Sequence, residues 1–358
     1  MIRFAWLQTR AQAYTAAVCL LVLVALTLAT GPHLAHLYNN DVVPCTSTHA
    51  GCSFQLESFF NHDLFLQNAF QLVIRLVPAL IGIFWGAPLF ARELETGTFR
   101  VAWTQGVSRT RWILTKLALG ATYSILAAGI YTLAVTWWYR SFDLANNNVH
   151  SFSVFDQRGL VAVGYALFAF ALGTLVGAVL RRVLPAMTAT LAVFVFVRVA
   201  IGLWLRPHLM PPLHKTASLL GGGFTILYNG SVSTIATQYS SPNNDWVLSS
   251  RLVNNAGQPV KAAAQSAFVH QHCTSVAHGA IPGSASVSSG GHHLVVVGPA
   301  SPQLQQCQTA AARYFHLLVT YQPASRFWPF QWIETGIFAA LAVAAFVACF
   351  WWVKRRIA

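Results

Sequence analysis

Six apolar runs, each of a length that can cross a bilayer, constrain this chain more than any other feature of its sequence. They are Tyr14–Thr30, Phe70–Ala91, Leu117–Trp138, Leu160–Leu180, Val183–Leu205 and Ile333–Val353. A helix of about 20 apolar residues spans the hydrocarbon core of a membrane. Only 9% of the residues are charged and the mean hydropathy is +0.53, so the chain has the composition of a polytopic membrane protein.

Basic residues fall between these runs in a pattern that predicts their direction. Lys and Arg concentrate in cytoplasmic segments of membrane proteins. Twelve of the 22 basic residues lie in four segments that six crossings place on one side: residues 1–13, Arg92–Lys116, Arg181-Arg182 and Lys354–Arg356. We therefore expect both termini to be cytoplasmic. The net charge of +13 follows from this topology and requires no nucleic-acid partner.

The segment Arg92–Lys116 is the most polar part of the chain, with seven charged residues between two apolar runs. Gly97-Thr98 favours the end of one helix and the start of another, and Ser108 is a second N-cap candidate. We expect two short helices joined by a turn. Their apolar side chains would lie in the membrane interface or in a partner's groove: Phe99, Val101, Trp103, Trp112 and Ile113. A solvated loop that only anchors to lipid is the alternative.

Three motifs in this segment resemble the loop between spans two and three of ABC-2 type transporter permeases. They are Glu95-x-Gly97-Thr98, Val107-Ser108-Arg109 and Lys116-Leu117. Where common members have Thr-Pro, this chain has Gln105-Gly106, a variant that resembles actinobacterial drug-efflux-type permeases. The resemblance implies a bacterial plasma-membrane protein that works as a homodimer, or as a heterodimer with a paralogue, and a loop that contacts a separate ATPase subunit. The implied coupling residues are Glu93, Glu95, Gly97, Thr98, Arg100, Trp103, Arg109 and Arg111.

The sequence gives no sign of an enzyme. It contains no GxxxxGK[ST] phosphate-binding loop and no paired carboxylates or triad-like constellation. We therefore expect no cofactor in this chain, and any ATP hydrolysis to occur in a partner subunit.

The segment Gly31–Ala69 has no Lys or Arg, as expected of a loop on the far side of the membrane. Cys45 and Cys52 lie close together in it, and a disulfide or two free thiols are both consistent with this spacing. The basic start followed by an apolar run could also be a secretory signal, but no clear cleavage site precedes Gly31-Pro32. We expect a short interfacial helix over Met1–Ala13 and a retained first span.

A change of composition over Pro207–Gln331 predicts an extracellular mixed α/β domain between spans five and six. Strand-like pieces occur at Thr225–Tyr228, Trp246–Val253 and His293–Val297, and an amphipathic helix is expected near Gln303–Leu318. Cys273 and Cys307 would bridge this small domain. Several histidines near Cys273 match no closed metal-site spacing, so no metal is expected. They are His270, His272, His278, His292 and His293.

Three charged residues lie inside or at the ends of the apolar runs. Arg75 and Arg198 each lie about two turns from the expected outer boundary, where they could reach the headgroups or line a polar pathway. Glu334, at the outer start of the sixth run, could be stabilised by the helix N-terminal dipole. Our hypothesis is that it also pairs with Arg75 or Arg198 at the outer mouth. Gly82-x-x-x-Gly86 and Gly173-x-x-x-Gly177 indicate close helix packing.

These observations predict an all-α polytopic membrane protein with six spans. Residues 1–206 hold spans one to five and the coupling loop 92–116, residues 207–331 form the extracellular domain, and residues 332–358 hold the sixth span and a cytoplasmic tail. The expected function is that of an exporter's permease subunit for a hydrophobic or amphipathic compound, powered by a separate ATPase through alternating access. The alternative is a non-transporting sensor or partner-binding protein that acts through its extracellular domain.

Overall fold

The computed structural model divides the chain into two compact units. The membrane unit comprises Met1–Leu209 and Ser325–Ala358, and the inserted unit comprises Met210–Ala324. The structure describes residues 2–48, 58–61, 64–97, 108–145, 152–221, 223–229, 232–239, 241, 245–273, 285–289, 292–296 and 302–356.

Within the described residues, six helices are long and apolar enough to cross a membrane. They are span 1 (Ala17–Cys45), span 2 (Asn68–Thr96), span 3 (Arg109–Trp138), span 4 (Leu160–Leu180), span 5 (Val183–His208) and span 6 (Ala324–Arg356). This confirms the number of spans predicted from the apolar runs. The chain is therefore a mostly helical multi-pass membrane protein with a small antiparallel sheet region after span 5.

Span 1 differs most from the sequence prediction. One helix runs over Ile2–Leu37, passes through a wider π-helical turn at Tyr38–Val42 and continues over Val43–Thr48. The prediction of a loop starting at Gly31 is therefore wrong, and the helix predicted over Met1–Ala13 is continuous with span 1 from Ile2 onward. Pro32 lies inside this helix, although a proline at an interior position removes one backbone hydrogen bond.

Three other spans also extend beyond their apolar runs. The helix of span 2 begins at Leu64 and continues through a π-helical turn, Gly82–Gly86, to Thr96. Span 5 consists of Val183–Ala200, a π-helical turn at Ile201–Leu205 and a 3-10 turn at Arg206–His208. The helix of span 6 runs over Phe327–Arg356. Hydropathy alone misses these ends because polar residues occupy the outermost turns.

Span 4 is the most buried of the six spans and packs against spans 2, 3, 5 and 6. Gly173 of its small-residue motif packs against Gly82 and Gly86 of span 2. A Cβ atom on Gly86 would lie 3.1 Å from the Cα of Gly173, and one on Gly173 would lie 2.9 Å from the Cα of Gly86. A Cβ on Gly177 would overlap the carbonyl oxygen of Ala87. The two small-residue motifs therefore pack against each other, backbone to backbone.

The segment between spans 3 and 4 is partly helical. It contains a short helix over Arg140–Ala145 and a 3-10 turn over Phe152–Val154. Gln331 of span 6 holds the end of this segment. Its Nε2 donates to the carbonyls of Phe155 (3.0 Å) and Arg158 (3.2 Å), and its Oε1 accepts from the amide of Val161 (2.9 Å).

The inserted unit contains two antiparallel sheets. Its strands are β1 (Leu213–Ala217), β2 (Gly223–Asn229), β3 (Val232–Gln238), β4 (Trp246–Asn254), β5 (Ala285–Ser289), β6 (His292–Val296) and β7 (Phe315–Gln322). One sheet has the order β1-β7-β4 and the other β3-β2-β6-β5. The strand-like pieces predicted from sequence correspond to β2, β4 and β6.

Two helices, Ala262–His272 and Pro302–Tyr314, complete the inserted unit. The second is shorter than the predicted Gln303–Leu318 because the chain becomes strand β7 at Phe315. In β7 buried and half-buried residues alternate, which is the period of a strand and not of a helix. The disulfide Cys273–Cys307, predicted from sequence, is present with a Cα–Cα distance of 5.1 Å. It joins the end of one helix to the middle of the other.

Candidate functional site

The helix end at Gly97 and the helix start after Ser108 are as predicted, but residues 92–96 and 109–116 belong to the helices of spans 2 and 3, so the coupling segment between these helices is shorter than the predicted loop 92–116. The helix of span 2 ends at Gly97, which has a φ of 72° and adopts the left-handed conformation. The helix of span 3 starts after Ser108, whose hydroxyl accepts a hydrogen bond from the amide of Arg111 at 3.4 Å. Residues 98–107 lie outside the described residues. The predictions for Thr98, Arg100 and Trp103 therefore remain predictions.

A buried ion pair joins the two helices that flank this segment. Lys116 of span 3 donates to Glu93 of span 2, and their side chains are 3% and 13% exposed. The Lys116 ammonium also lies 4.7 Å from the centre of the Trp112 ring. The resemblance assigns Glu93 to contact with a partner, but in the structure Glu93 forms an ion pair within the chain.

Glu95 links the same region to span 5. One of its carboxylate oxygens accepts a hydrogen bond from the amide of Val183, the first helical residue of span 5, at 3.0 Å. The N-cap residue Arg182 makes no side-chain cap bond. Glu95 therefore supplies the cap across the helix interface, and its negative charge lies at the positive end of the helix dipole.

Trp112 and Ile113, which were expected in the membrane interface or in a partner's groove, are instead buried. Trp112 is 3% exposed and Ile113 is fully buried, and the Trp112 ring packs on Phe90 of span 2 with 5.5 Å between ring centres. The prediction that they are available to a partner is wrong, because the first turn of span 3 already packs within the helix bundle. Arg109 and Arg111, on the same turn, are exposed.

At the other end of the membrane unit, Arg206 and Glu334 form the centre of a polar cluster. The Arg206 guanidinium donates to Glu334 Oε2 at 2.8 Å and Oε1 at 2.9 Å, and to Asp156. The Tyr165 hydroxyl accepts from Arg206 at 3.0 Å and donates to Glu334 at 2.6 Å. These contacts join spans 4, 5 and 6.

This cluster corrects two interpretations of Glu334. Its ion-pair partner is Arg206, and the predicted pairing with Arg75 or Arg198 is wrong. The helix of span 6 starts at Phe327, so Glu334 is not in the first turn and the helix dipole does not account for it. The apolar run predicted for span 5 ends at Leu205, so Arg206 was not among the predicted site residues. The signal that could have found it is a cation directly after the end of an apolar run.

Arg158 is the second paired arginine at this end. It donates to both oxygens of Asp143 at 2.6 and 2.9 Å, and both residues are buried. Burial raises the pKa of the adjacent Tyr139 phenol to about 12, despite the nearby charges of Arg158 and Arg75. Tyr139 is therefore neutral at physiological pH and does not neutralise either arginine.

Arg75 and Arg198 lie on neighbouring faces of spans 2 and 5. Arg198 Nη1 donates to the backbone carbonyl of Arg75 at 2.8 Å, and its guanidinium lies 4.7 Å from the centre of the Tyr165 ring. Arg75 donates to Gln71 at 3.4 Å. With the Gln157 amide oriented so that its oxygen faces Arg75, this oxygen accepts from Nε and Nη2 at 3.2 Å. Where the structure describes the chain, neither arginine has a carboxylate within ion-pair distance.

An apolar groove of about 1210 Å³ runs beside span 2. Span 1 forms its other wall, and residues of spans 3 and 5 complete it. Arg92 is the one charged residue that lines it within the described residues. Representative lining residues are Val22, Leu26, Val73, Phe84 and Met187.

Cys52 lies outside the described residues, so the bridge between Cys45 and Cys52 remains a prediction.

Comparison with known families gives one match: a family model described as "ABC-2 membrane transporter related" matches residues 17–206, more than half of the chain. No curated protein and no solved structure matches it. The matched region contains spans 1–4, span 5 up to Arg206 and both flanks of the coupling segment.

Proposed function

This chain belongs to the ABC-2 membrane transporter related family, and we propose that it is the membrane-spanning permease subunit of an ATP-binding-cassette exporter. In this proposal a separate ATPase subunit binds the segment between spans 2 and 3, which faces the cytoplasm. Two copies of the chain, identical or paralogous, move a hydrophobic or amphipathic compound outward by alternating access. The inserted unit lies outside the cell.

The observation that carries this proposal is the way three spans are tied together beside the coupling segment. Glu93–Lys116 joins span 2 to span 3, and Glu95 joins span 2 to the start of span 5. A force applied to residues 98–107 therefore acts on three helices together. Removing one partner of a buried ion pair costs about 3–5 kcal/mol because the other charge is left buried without compensation, so loss of Glu93 or Lys116 should disturb this connection.

Exposed cations beside the coupling segment support a protein partner with an acidic groove. Arg92, Arg109 and Arg111 are exposed at this end of the helices, and exposed arginines form charge-assisted hydrogen bonds with carboxylates. Because Glu93 and Glu95 are engaged within the chain, we assign the partner contacts to the basic residues. Arg100 of the coupling segment belongs to the same set by sequence.

The spans supply the features expected of a path for apolar cargo. The groove beside span 2 is almost entirely apolar, and many side chains on spans 2 and 5 face outward. In the proposed dimer these faces line the pathway. The absence of a phosphate-binding loop from the sequence is consistent with ATP hydrolysis in another polypeptide.

The test is co-purification with the product of an adjacent gene that encodes a P-loop ATPase. Arg100→Glu combined with Arg111→Glu should abolish complex formation and coupled ATP hydrolysis, since both substitutions reverse charges at the proposed interface. Arg251→Glu, an equivalent reversal at an exposed site in the inserted unit, should leave the complex intact. Binding of the ATPase to the double variant as well as to the wild type would reject this coupling surface.

If no P-loop ATPase associates with the wild-type chain, the exporter proposal fails. The alternative of a sensor or partner-binding protein acting through the inserted unit then becomes the favoured function.

A further inference from the structure

Arg75 and Arg198 differ from the other cations within the helix bundle by the partners that they have. Lys116, Arg158 and Arg206 each contact a carboxylate. In the described part of the chain, Arg75 and Arg198 contact only neutral groups: amide oxygens, one backbone carbonyl and an aromatic ring. A cation within a membrane span is costly unless an anion or water compensates it.

The carboxylate that could have neutralised them is engaged elsewhere. Glu334 is 1% exposed and directs both oxygens to Arg206 and one to Tyr165. Asp156 accepts a hydrogen bond from the same Arg206. The polar cluster contains one guanidinium and two carboxylates, but within the described residues neither carboxylate lies within ion-pair distance of Arg75 or Arg198, the two cations of the span 2–span 5 seam.

The surroundings of the two guanidinium groups hold them in place without satisfying their charge. Gln157 is fully buried and its amide faces Arg75. Tyr165, also fully buried, presents its ring to Arg198. Neutral hydrogen bonds and a ring contact restrict the rotamers of both arginines, so that less conformational entropy is lost when an anion binds.

The seam also presents an apolar surface. Leu72 and Leu76 flank Arg75 and are 60% and 45% exposed, while Val195 and Val199 flank Arg198 and are 46% and 50% exposed. Side chains of this kind contact the hydrocarbon part of an amphipathic molecule, and guanidinium groups bind oxyanions bidentately. Both parts of an amphipathic anion thus find a complementary surface.

From these observations we propose that Arg75 and Arg198 form a binding site for the oxyanion headgroup, a phosphate or a carboxylate, of an amphipathic molecule whose apolar part lies along spans 2 and 5. The proposal rests on the proposed function only in identifying this molecule as cargo. A membrane lipid with an anionic headgroup has the same chemistry, and the experiment distinguishes the two sources.

The experiment uses the full chain alone in phosphatidylcholine nanodiscs, with empty nanodiscs as the blank. Binding is titrated with three probes that share a dodecyl chain: dodecyl phosphate, dodecanol and dodecyltrimethylammonium. We expect saturable binding of dodecyl phosphate only. Arg75→Gln and Arg198→Gln should each weaken it by about tenfold or more, the effect of losing a hydrogen bond to a charged group.

Arg251→Gln is the matched control, because it removes the same charge at an exposed position in the inserted unit. It should bind dodecyl phosphate as the wild type does. Arg198→Lys keeps the charge but loses the planar fork and should lie between wild type and Arg198→Gln. Thermal unfolding of each variant separates loss of binding from loss of folding.

Repeating the titration with phosphatidylglycerol in the nanodiscs identifies the source of the anion. Weaker probe binding, with arginine-dependent retention of this lipid in native mass spectrometry, assigns the site to a bilayer lipid. Unchanged probe binding assigns it to a free amphiphile.

Equal binding of the three probes, or wild-type binding by both Arg→Gln variants, would overturn the proposal. The proposal would also be overturned if Arg75→Gln or Arg198→Gln changed the oligomeric state of the chain but left probe binding unchanged. In that case the two arginines would contact a second copy of the chain. None of these readouts requires the ATPase, so this site and the exporter proposal fail independently.

Discussion

Arg206 and Glu334 connect the end of span 5 to the third turn of the span 6 helix through two hydrogen bonds of 2.8 and 2.9 Å. The chain leaves the membrane unit after Leu209 and returns to it at Ser325. The ion pair therefore joins the two helices between which the inserted unit is placed in the sequence. It is a buried pair with a hydroxyl and a second carboxylate around it, so its polar groups are well satisfied.

Removing Arg206 should destabilise the membrane unit strongly. Arg206→Met leaves Glu334 buried without its cation, and we expect a loss of about 3–5 kcal/mol in the free energy of unfolding. Thermal or denaturant unfolding in detergent, followed by tryptophan fluorescence, measures it. The double variant Arg206→Met, Glu334→Gln should recover part of the loss, because no buried charge then lacks a partner. An Arg206→Met variant as stable as Arg251→Met would refute the pairing.

Adding one methyl group at the crossing of spans 2 and 4 should also be destabilising. In Gly86→Ala the new Cβ would lie 2.6 Å from the carbonyl oxygen of Phe170, so the helices must separate. We expect a loss of about 1–3 kcal/mol from overpacking. Gly129→Ala in span 3 is the control, because a Cβ there meets nothing within 4 Å. It should be neutral or slightly stabilising, since alanine favours a helix.

Substitution of Glu95 should affect span 5 even without any partner subunit. Glu95→Lys loses the acceptor for the Val183 amide and should cost about 1–2 kcal/mol. Glu95→Gln keeps an acceptor oxygen and should cost less. Amide hydrogen exchange at the start of span 5 gives the local readout. If the amides at the start of span 5 exchange as slowly in both variants as in the wild type, Glu95 does not act as the cap of this helix.

The disulfide of the inserted unit should contribute to its stability. Cys307→Ser opens a bridge between residues separated by 34 positions, and we expect a loss of about 2–4 kcal/mol. Limited proteolysis of the full chain, with cleavage mapped to Met210–Ala324, measures the change. Cys19→Ser is the control, because Cys19 is an exposed free cysteine. Proteolysis unchanged in Cys307→Ser would show that the bridge is dispensable.

The sequence predicted best those features that depend on local chemistry. The bounds of Leu160–Leu180 agree with the structure, because Gly159 and Arg181 end the apolar pattern sharply on both sides. Gly97 and Ser108 end and begin helices as expected, since left-handed glycine and N-cap serine act within one helical turn. The disulfide was predictable because only a few cysteines were available for pairing.

Features that depend on contacts distant in sequence were not predictable. Glu334 forms its ion pair with Arg206 and not with Arg75 or Arg198, although all three cations lie near the same end of the membrane unit. The choice depends on the π-helical turn at Ile201–Leu205, which changes the direction in which the following residues project. Trp112 looked like an interfacial anchor because its neighbours are charged. Its burial depends on Phe90, a residue on another helix.

The glycine crossing determines where the membrane unit is able to move. Between Gly86 and Gly173 there are no side chains, so no rotamer change can absorb a displacement of one backbone against the other. We therefore expect spans 2 and 4 to move together, with the start of span 3 and the start of span 5 attached to them through Glu93 and Glu95. For the transport cycle proposed above, this arrangement leaves freedom of movement to span 1, which is bordered on one side by an open groove, and to the part of span 5 beyond its contact with Glu95.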